Sequence, residues 1–200
     1  DGNDTIVAGV GDDTIDAGNG DDNIDASWGY NSIIAGAGND TIVTGTDYDT
    51  VDAGNGADSI IAGIGDNSII AGNGADTIVV DWGNDTINAG GGDDSIDGGQ
   101  GHNSIIGGDG NDTINAIWGD DTIDAGAGDD LIYASDGANS IVAGDGNDTI
   151  STGCGPDHIE AGNGDNSIQG GESDNFITAG NGADTITTGY GDDSIAAGAV

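Results

Sequence analysis

One residue type returns every nine positions along this chain without a slip. Isoleucine stands at 6, 15, 24, 33, 42 and onward to 195, making 22 units with one exchange, Val51, and no insertion or deletion. With Ala8 as the first position of the unit, this apolar residue is the eighth. Gly fills the fourth position in 20 of 22 units, with Asp47 and Ser173 as the exceptions, and the sixth is always Asp or Asn. A helix does not tolerate Gly at this density, and collagen needs Gly at every third residue. Asn-Gly and Asp-Gly pairs favour hairpins, but a meander has no reason to hold one frame for 200 residues. The frame predicts a coil of short parallel strands joined by tight Gly-rich turns. Ile points inward and its two flanking residues point outward, because side chains alternate along a strand.

Sorting the units into two columns 18 residues apart separates strict from relaxed ones. In the strict column the sixth-position residues are Asp4, Asp22, Asp40, Asp58, Asp76, Asp94, Asp112, Asp130, Asp148, Asn166 and Asp184, and the second and fourth positions are Gly. In the relaxed column Asp and Asn alternate: Asp13, Asn31, Asp49, Asn67, Asp85, Asn103, Asp121, Asn139, Asp157, Asn175 and Asp193. The failures of second-position Gly (Ser27, Asp81, Ile117, Ser135) all fall in this column, as do Asp47, Ser173, Trp28, Trp82, Trp118 and Tyr190. A coil of nine residues could not sort its exceptions in this way; one of 18 can.

The segments AGNGDDNID (17–25), AGAGNDTIV (35–43) and GGDGNDTIN (107–115) fit the nonapeptide G-G-x-G-x-D-x-U-x residue by residue. The chain therefore resembles the RTX, hemolysin-type calcium-binding repeat proteins over its whole length, with Ala for Gly at most first positions. The resemblance implies an all-β parallel β-roll (β-solenoid) of about 11 coils, two nonapeptides to the coil. Residues 1–200 are expected to be a single uninterrupted roll, part of a longer repeat array because the chain starts and stops in mid-unit.

Charge points to the ligand. The chain has 38 Asp and Glu and no Lys or Arg, a net charge of −38. Nucleic acid and acidic membrane surfaces are poor partners, because nothing in the chain can pair with phosphate, and no apolar run reaches the ~20 residues needed to cross a bilayer. Two Ile per coil are a thin core for 18 ordered residues, so closure of the roll needs a further contribution. Calcium takes six to eight oxygens, mixing carboxylates with backbone carbonyls, and the turns supply both. The strict-column aspartates carry the charge. Gly18, Gly20, Gly36, Gly38, Gly54, Gly56, Gly72, Gly74, Gly90 and Gly92 permit the backbone angles that turn carbonyls inward. The alternative is that each Asp only caps its turn. The resemblance implies one ion between turns stacked a coil apart, with Asp40 and Asp58 facing one such site. That gives up to about ten ions on the strict edge, and more if both edges fill. Magnesium suits the turns less, since it prefers a tight octahedron. The calcium-free chain is expected to be largely unfolded.

Weaker or absent calcium is expected on the relaxed edge, with Asp13, Asp49, Asp85, Asp121, Asp157 and Asp193 as its acidic ligands. Trp28, Trp82, Trp118 and Tyr190 at its turn tips either pack locally or form a contact strip for another copy or another surface protein. Outward Ile34, Ile70, Ile106 and Val142, 36 residues apart, favour protein contact. His102 and His158 have no ligand spacing, Cys154 is a lone thiol, and the Asn-Asp-Thr sequons at Asn3, Asn39, Asn84, Asn111 and Asn147 follow from the repeat itself. Neither Glu160 nor Glu172 closes an EF-hand loop, and a Walker loop would need Lys. No catalytic grouping stands out, so the expectation is a non-enzymatic structural protein. Resemblance to RTX proteins implies secretion to the cell exterior, and 22 uninterrupted units suggest a stalk, surface layer or filament. Two other functions fit less well. One is a ligand-binding face, for carbohydrate by stacking on Trp28, Trp82, Trp118 and Tyr190, or for ice or crystal on Thr5, Thr41, Thr77, Thr113, Thr149 and Thr185, a column that Ser59, Ser95, Leu131 and Ser167 interrupt. The other is a calcium buffer.

Overall fold

A computed structural model describes residues 1–198. It contains 22 short strands, numbered in chain order from β1 (Thr5–Val7) and β2 (Thr14–Asn19) to β21 (Thr185–Thr187) and β22 (Ser194–Ala196), and no helix among the described residues. The odd-numbered strands form one 11-stranded parallel sheet and the even-numbered strands another. Every strand pairs with the one 18 residues away, as in Thr5↔Asn23 and Ile6↔Ile24 in one sheet and Ile87↔Ile105 in the other. The chain is thus a two-sided parallel β-solenoid of about 11 coils. At about 4.8 Å per coil its length is on the order of 50 Å.

The two sheets face each other through the eighth-position residues. Ile24, Ile42, Ile60 and Ile78 from one sheet and Ile33, Val51, Ile69 and Ile87 from the other are at most 1 % exposed. First-position Ala shares this core; Ala26, Ala35 and Ala53 have no exposed surface. Ile6 and Ile186 are only partly buried and Ile195 is 47 % exposed, since the end coils have a neighbour on one side only.

Stacking, rather than turning alone, requires the glycines. Gly36 has φ +117°, and a Cβ there would be driven into the carbonyl oxygen of Gly18 in the preceding coil. The relaxed edge solves its exceptions in two ways. Ser27, Asp47 and Ser173 take positive φ (61°, 87° and 90°) despite their side chains. Asp81, Ile117 and Ser135 are not among the positive-φ residues. At Ile117 and Ser135 the strands simply run on as Thr113–Trp118 and Leu131–Asp136, pairing Ala116 with Ala134 and Trp118 with Asp136. The relaxed column is therefore a mixture: turns such as those at Ser27 and Gly45 (φ 107°) keep a left-handed second position, while those at Ile117 and Ser135 run on as strand.

Candidate metal centre

The strict turns join the ends of the even strands to the odd strands, and each brings its sixth-position Asp into a buried seam. One carboxylate oxygen caps backbone. The Asp22 N–H donates to Asp40 Oδ1 at 2.7 Å, Asp40 to Asp58 at 2.7 Å, Asp58 to Asp76 at 2.7 Å, and Asp76 to Asp94 at 2.8 Å. The ladder continues through Asp112, Asp130 and Asp148 to Asn166 and Asp184. At its start Asp4 donates to Asp22. The relaxed edge carries the same ladder, from Asp13 to Asn31 Oδ1 at 3.2 Å through to Asn175 and Asp193 Oδ1 at 3.0 Å. Both Asp and Asn offer Oδ1, which explains why the sixth position is never anything else.

The other oxygen has no partner. Oδ2 of Asp22, Asp40, Asp58, Asp76, Asp94, Asp112, Asp130, Asp148 and Asp184 is buried and receives no hydrogen bond. Capping therefore accounts for one oxygen of each carboxylate and leaves the second stranded in a dry seam, which is costly unless a positive group meets it. The surroundings add acceptors rather than donors. A Cβ placed on Gly107 would overlap both Asp112 Oδ2 and the Ala125 carbonyl oxygen, so carboxylate and carbonyl border one small space. Burial pushes Asp58, Asp76, Asp94, Asp112 and Asp130 up from 3.8 to about 6, opposed by the N–H each caps and reinforced by the next carboxylate along the seam. Asp40 and Asp148 are also raised, chiefly by burial.

These oxygens fit calcium. No three His, Cys, Asp or Glu side chains converge among the described residues, so a cation in the seam must take much of its shell from backbone carbonyls. Calcium accepts such a shell, whereas zinc and other transition metals favour nitrogen and sulfur donors. The glycines named with the strict aspartates lie in the same turns and keep successive turns in contact. A Cβ on Gly54 or Gly72, for example, would run into the carbonyl oxygen of Gly36 or Gly54.

The relaxed edge is buried as deeply. Asp49, Asp85, Asp121 and Asp157 are at most 2 % exposed, and Oδ2 of Asp13, Asp49, Asp85 and Asp157 is also stranded. Burial raises Asp85 to about 6, against hydrogen bonds from Asn67. It also raises Asp49, Asp121 and Asp157. Asp193, in the last relaxed turn, is instead held low by the Asn175 N–H and the Thr188 hydroxyl.

At the tips of that edge Trp28, Trp82, Trp118 and Tyr190 are 64, 61, 57 and 85 % exposed. Backbone bridges link Trp82 to Gln100 and Gln100 to Trp118, yet the only ring pair among the described residues is His158 with Phe176. Packing against the neighbouring turn does not bury these rings. Cys154 is exposed and free, and Asp136 beside it pushes its thiol up. His102 caps the Asp120 N–H through Nδ1 at 2.9 Å, and His158 lies 3.2 Å from Glu160. No pocket opens among the described residues, and no helix is long and apolar enough to cross a membrane.

Sequence reasoning missed a second ladder at the fifth position. There Asp21 Oδ1 accepts from the Asn39 N–H at 2.9 Å, and Asn39 Oδ1 from the Ala57 N–H at 2.7 Å. The abundance of Asp and Asn beside the sixth position was its signal.

A family model described as the RTX calcium-binding nonapeptide repeat (4 copies) matches residues 1–33, 29–51, 34–69, 52–87, 79–114, 115–150, 151–186 and 169–199. No curated protein and no solved structure matches the chain.

Proposed function

Because the chain belongs to the RTX calcium-binding nonapeptide repeat family, we propose that it is a non-enzymatic structural rod outside the cell, set by calcium and used as a stalk, surface layer or filament segment. The observation that carries this is the row of buried, unpartnered Oδ2 atoms in a chain without one Lys or Arg. Bound calcium supplies positive charge and a demand for oxygen ligands. The residues that would hold it are the strict-column aspartates, through Oδ2, together with carbonyls of the same turns. The remaining side chains serve construction: Ile and Ala fill the interior, and Oδ1 closes the backbone between coils. Calcium scarcity inside the cell would keep the chain unfolded until export, and the secreted habit of RTX proteins supports that order.

Exposed Trp28, Trp82, Trp118 and Tyr190 on one edge support self-association, or association with another surface protein, as the way the rod is used. Light scattering on the calcium-loaded protein tests this. Growth in mass is expected, and replacing the three Trp by Ser should abolish it. A wild-type protein that stays monomeric at high concentration would contradict the assembly role.

A further inference from the structure

The Asp/Asn alternation on the relaxed edge acquires a physical meaning once the side-chain amides are located. In each Asn turn the N–H of the preceding coil donates to Oδ1, so the outer atom of the carboxamide must be Nδ2. That nitrogen donates back into the seam. Asn31 reaches the Gly29 carbonyl at 2.9 Å, Asn67 that of Gly65 at 3.0 Å, and Asn175 that of Ser173 at 3.0 Å. Asn103 reaches Gly98 at 2.8 Å, and Asn139 reaches Asp157 Oδ1 at 3.0 Å. The outer atom is thus a satisfied donor where an Asp turn has a stranded acceptor, and it occupies a turn carbonyl that a cation would use, at 2.8–3.0 Å in four turns and at 3.4 Å to Gly137 for Asn139. A Gly carbonyl held by an N–H is a poorer ligand, and the N–H dipole repels a cation.

The spacing makes this complete. Eleven turns enclose ten gaps, and strict alternation puts one Asn beside every gap on this edge. Five Asn are the fewest that achieve it. On the strict edge Asn166 alone interrupts, reaching the Ala179 carbonyl at 3.4 Å, so eight gaps keep Asp on both sides.

We propose that the relaxed edge is a calcium-free seam in which the carboxamides of Asn31, Asn67, Asn103, Asn139 and Asn175 hold turn carbonyls a cation would use and leave each gap a single carboxylate, whose Oδ2 stays unpartnered at Asp13, Asp49, Asp85 and Asp157, so that the roll loads calcium along one edge only. This rests on the calcium-set roll proposed above. One-sided loading leaves the edge that bears the exposed Trp residues free of bound ions.

Calcium per chain, counted by elemental analysis after desalting at saturating calcium, tests this against wild type and variants. Wild type should hold about eight ions, one for each gap flanked by two Asp. Asn166→Asp should add about two, because one turn borders two gaps, and Asn103→Asp should also add about two. Converting all five relaxed Asn to Asp should raise the count by about ten, with folding checked by circular dichroism. A wild-type count near twenty would overturn one-sided loading and leave the calcium roll standing. So would a folded Asn103→Asp protein whose count does not move. No bound calcium in any protein would overturn the functional proposal itself.

Discussion

Acid should do part of what calcium does. With calcium removed by chelator, lowering the pH from 7.5 towards 4.5 is expected to fold the chain. Burial places Asp58, Asp76, Asp85, Asp94, Asp112 and Asp130 at about 6 in the roll against an ordinary 3.8. A folded value above the unfolded one means the proton favours the roll. That contribution is fully present below 3.8 and is lost as pH rises through about 6. A rise from 3.8 to about 6 corresponds to roughly 3 kcal/mol per carboxyl at most. Solvent screening and coupling between neighbours reduce this to about a third, still several kcal/mol over six sites and comparable to the stability of a whole domain. The chemistry matches the relaxed edge: a protonated Oδ2 becomes a donor and plays the part Asn Nδ2 plays there. Far-UV circular dichroism across this range, with light scattering to exclude precipitation near the pI of 4.1, reads the effect. A chain that remains monodisperse and unfolded at pH 4.5 would refute the assignment of the stranded oxygens as what keeps the calcium-free roll open.

Truncating the core at Ile87→Ala should cost about 2–5 kcal/mol and shift the calcium midpoint for folding upward, measured by titration with circular dichroism. Gly36→Ala, whose Cβ meets the Gly18 carbonyl, should prevent closure. Gly91→Ala, which meets nothing nearer than Asn73 Oδ1 at 3.5 Å, should be tolerated, as a thermal melt of each would reveal. Ser173→Gly should stabilise the loaded roll by about 1 kcal/mol, because φ 90° is strained for Ser. Magnesium in place of calcium should give a much weaker gain of β-structure at equal concentration.

The fold was legible because one residue type repeats with the period of the coil. Ile at every ninth position marks the interior, and the column sorting of Ser27, Asp81 and Trp28 marks 18 residues as the coil. The need for cations was legible from charge, since 38 carboxylates without a single basic residue leave no internal partner. Three features were not. The division of labour within a carboxylate, Oδ1 to backbone and Oδ2 to the seam, depends on coil-to-coil distances that no spacing encodes. The role of Gly as a stacking surface looks in sequence like a turning requirement, because both select the same residue. The path of the chain at Ile117 and Ser135 was the third, since a break in the Gly pattern does not say what replaces the turn; in three dimensions the chain there stays extended and pairs.

One titration bears on all of this: far-UV circular dichroism of the chain at pH 7.4, first in excess chelator and then with calcium added stepwise. The expected result is a largely unfolded spectrum that converts cooperatively to β-structure as calcium rises, and back on chelation. A spectrum already rich in β-structure in chelator, or one that calcium leaves unchanged, would contradict a roll held closed by cations along its strict edge.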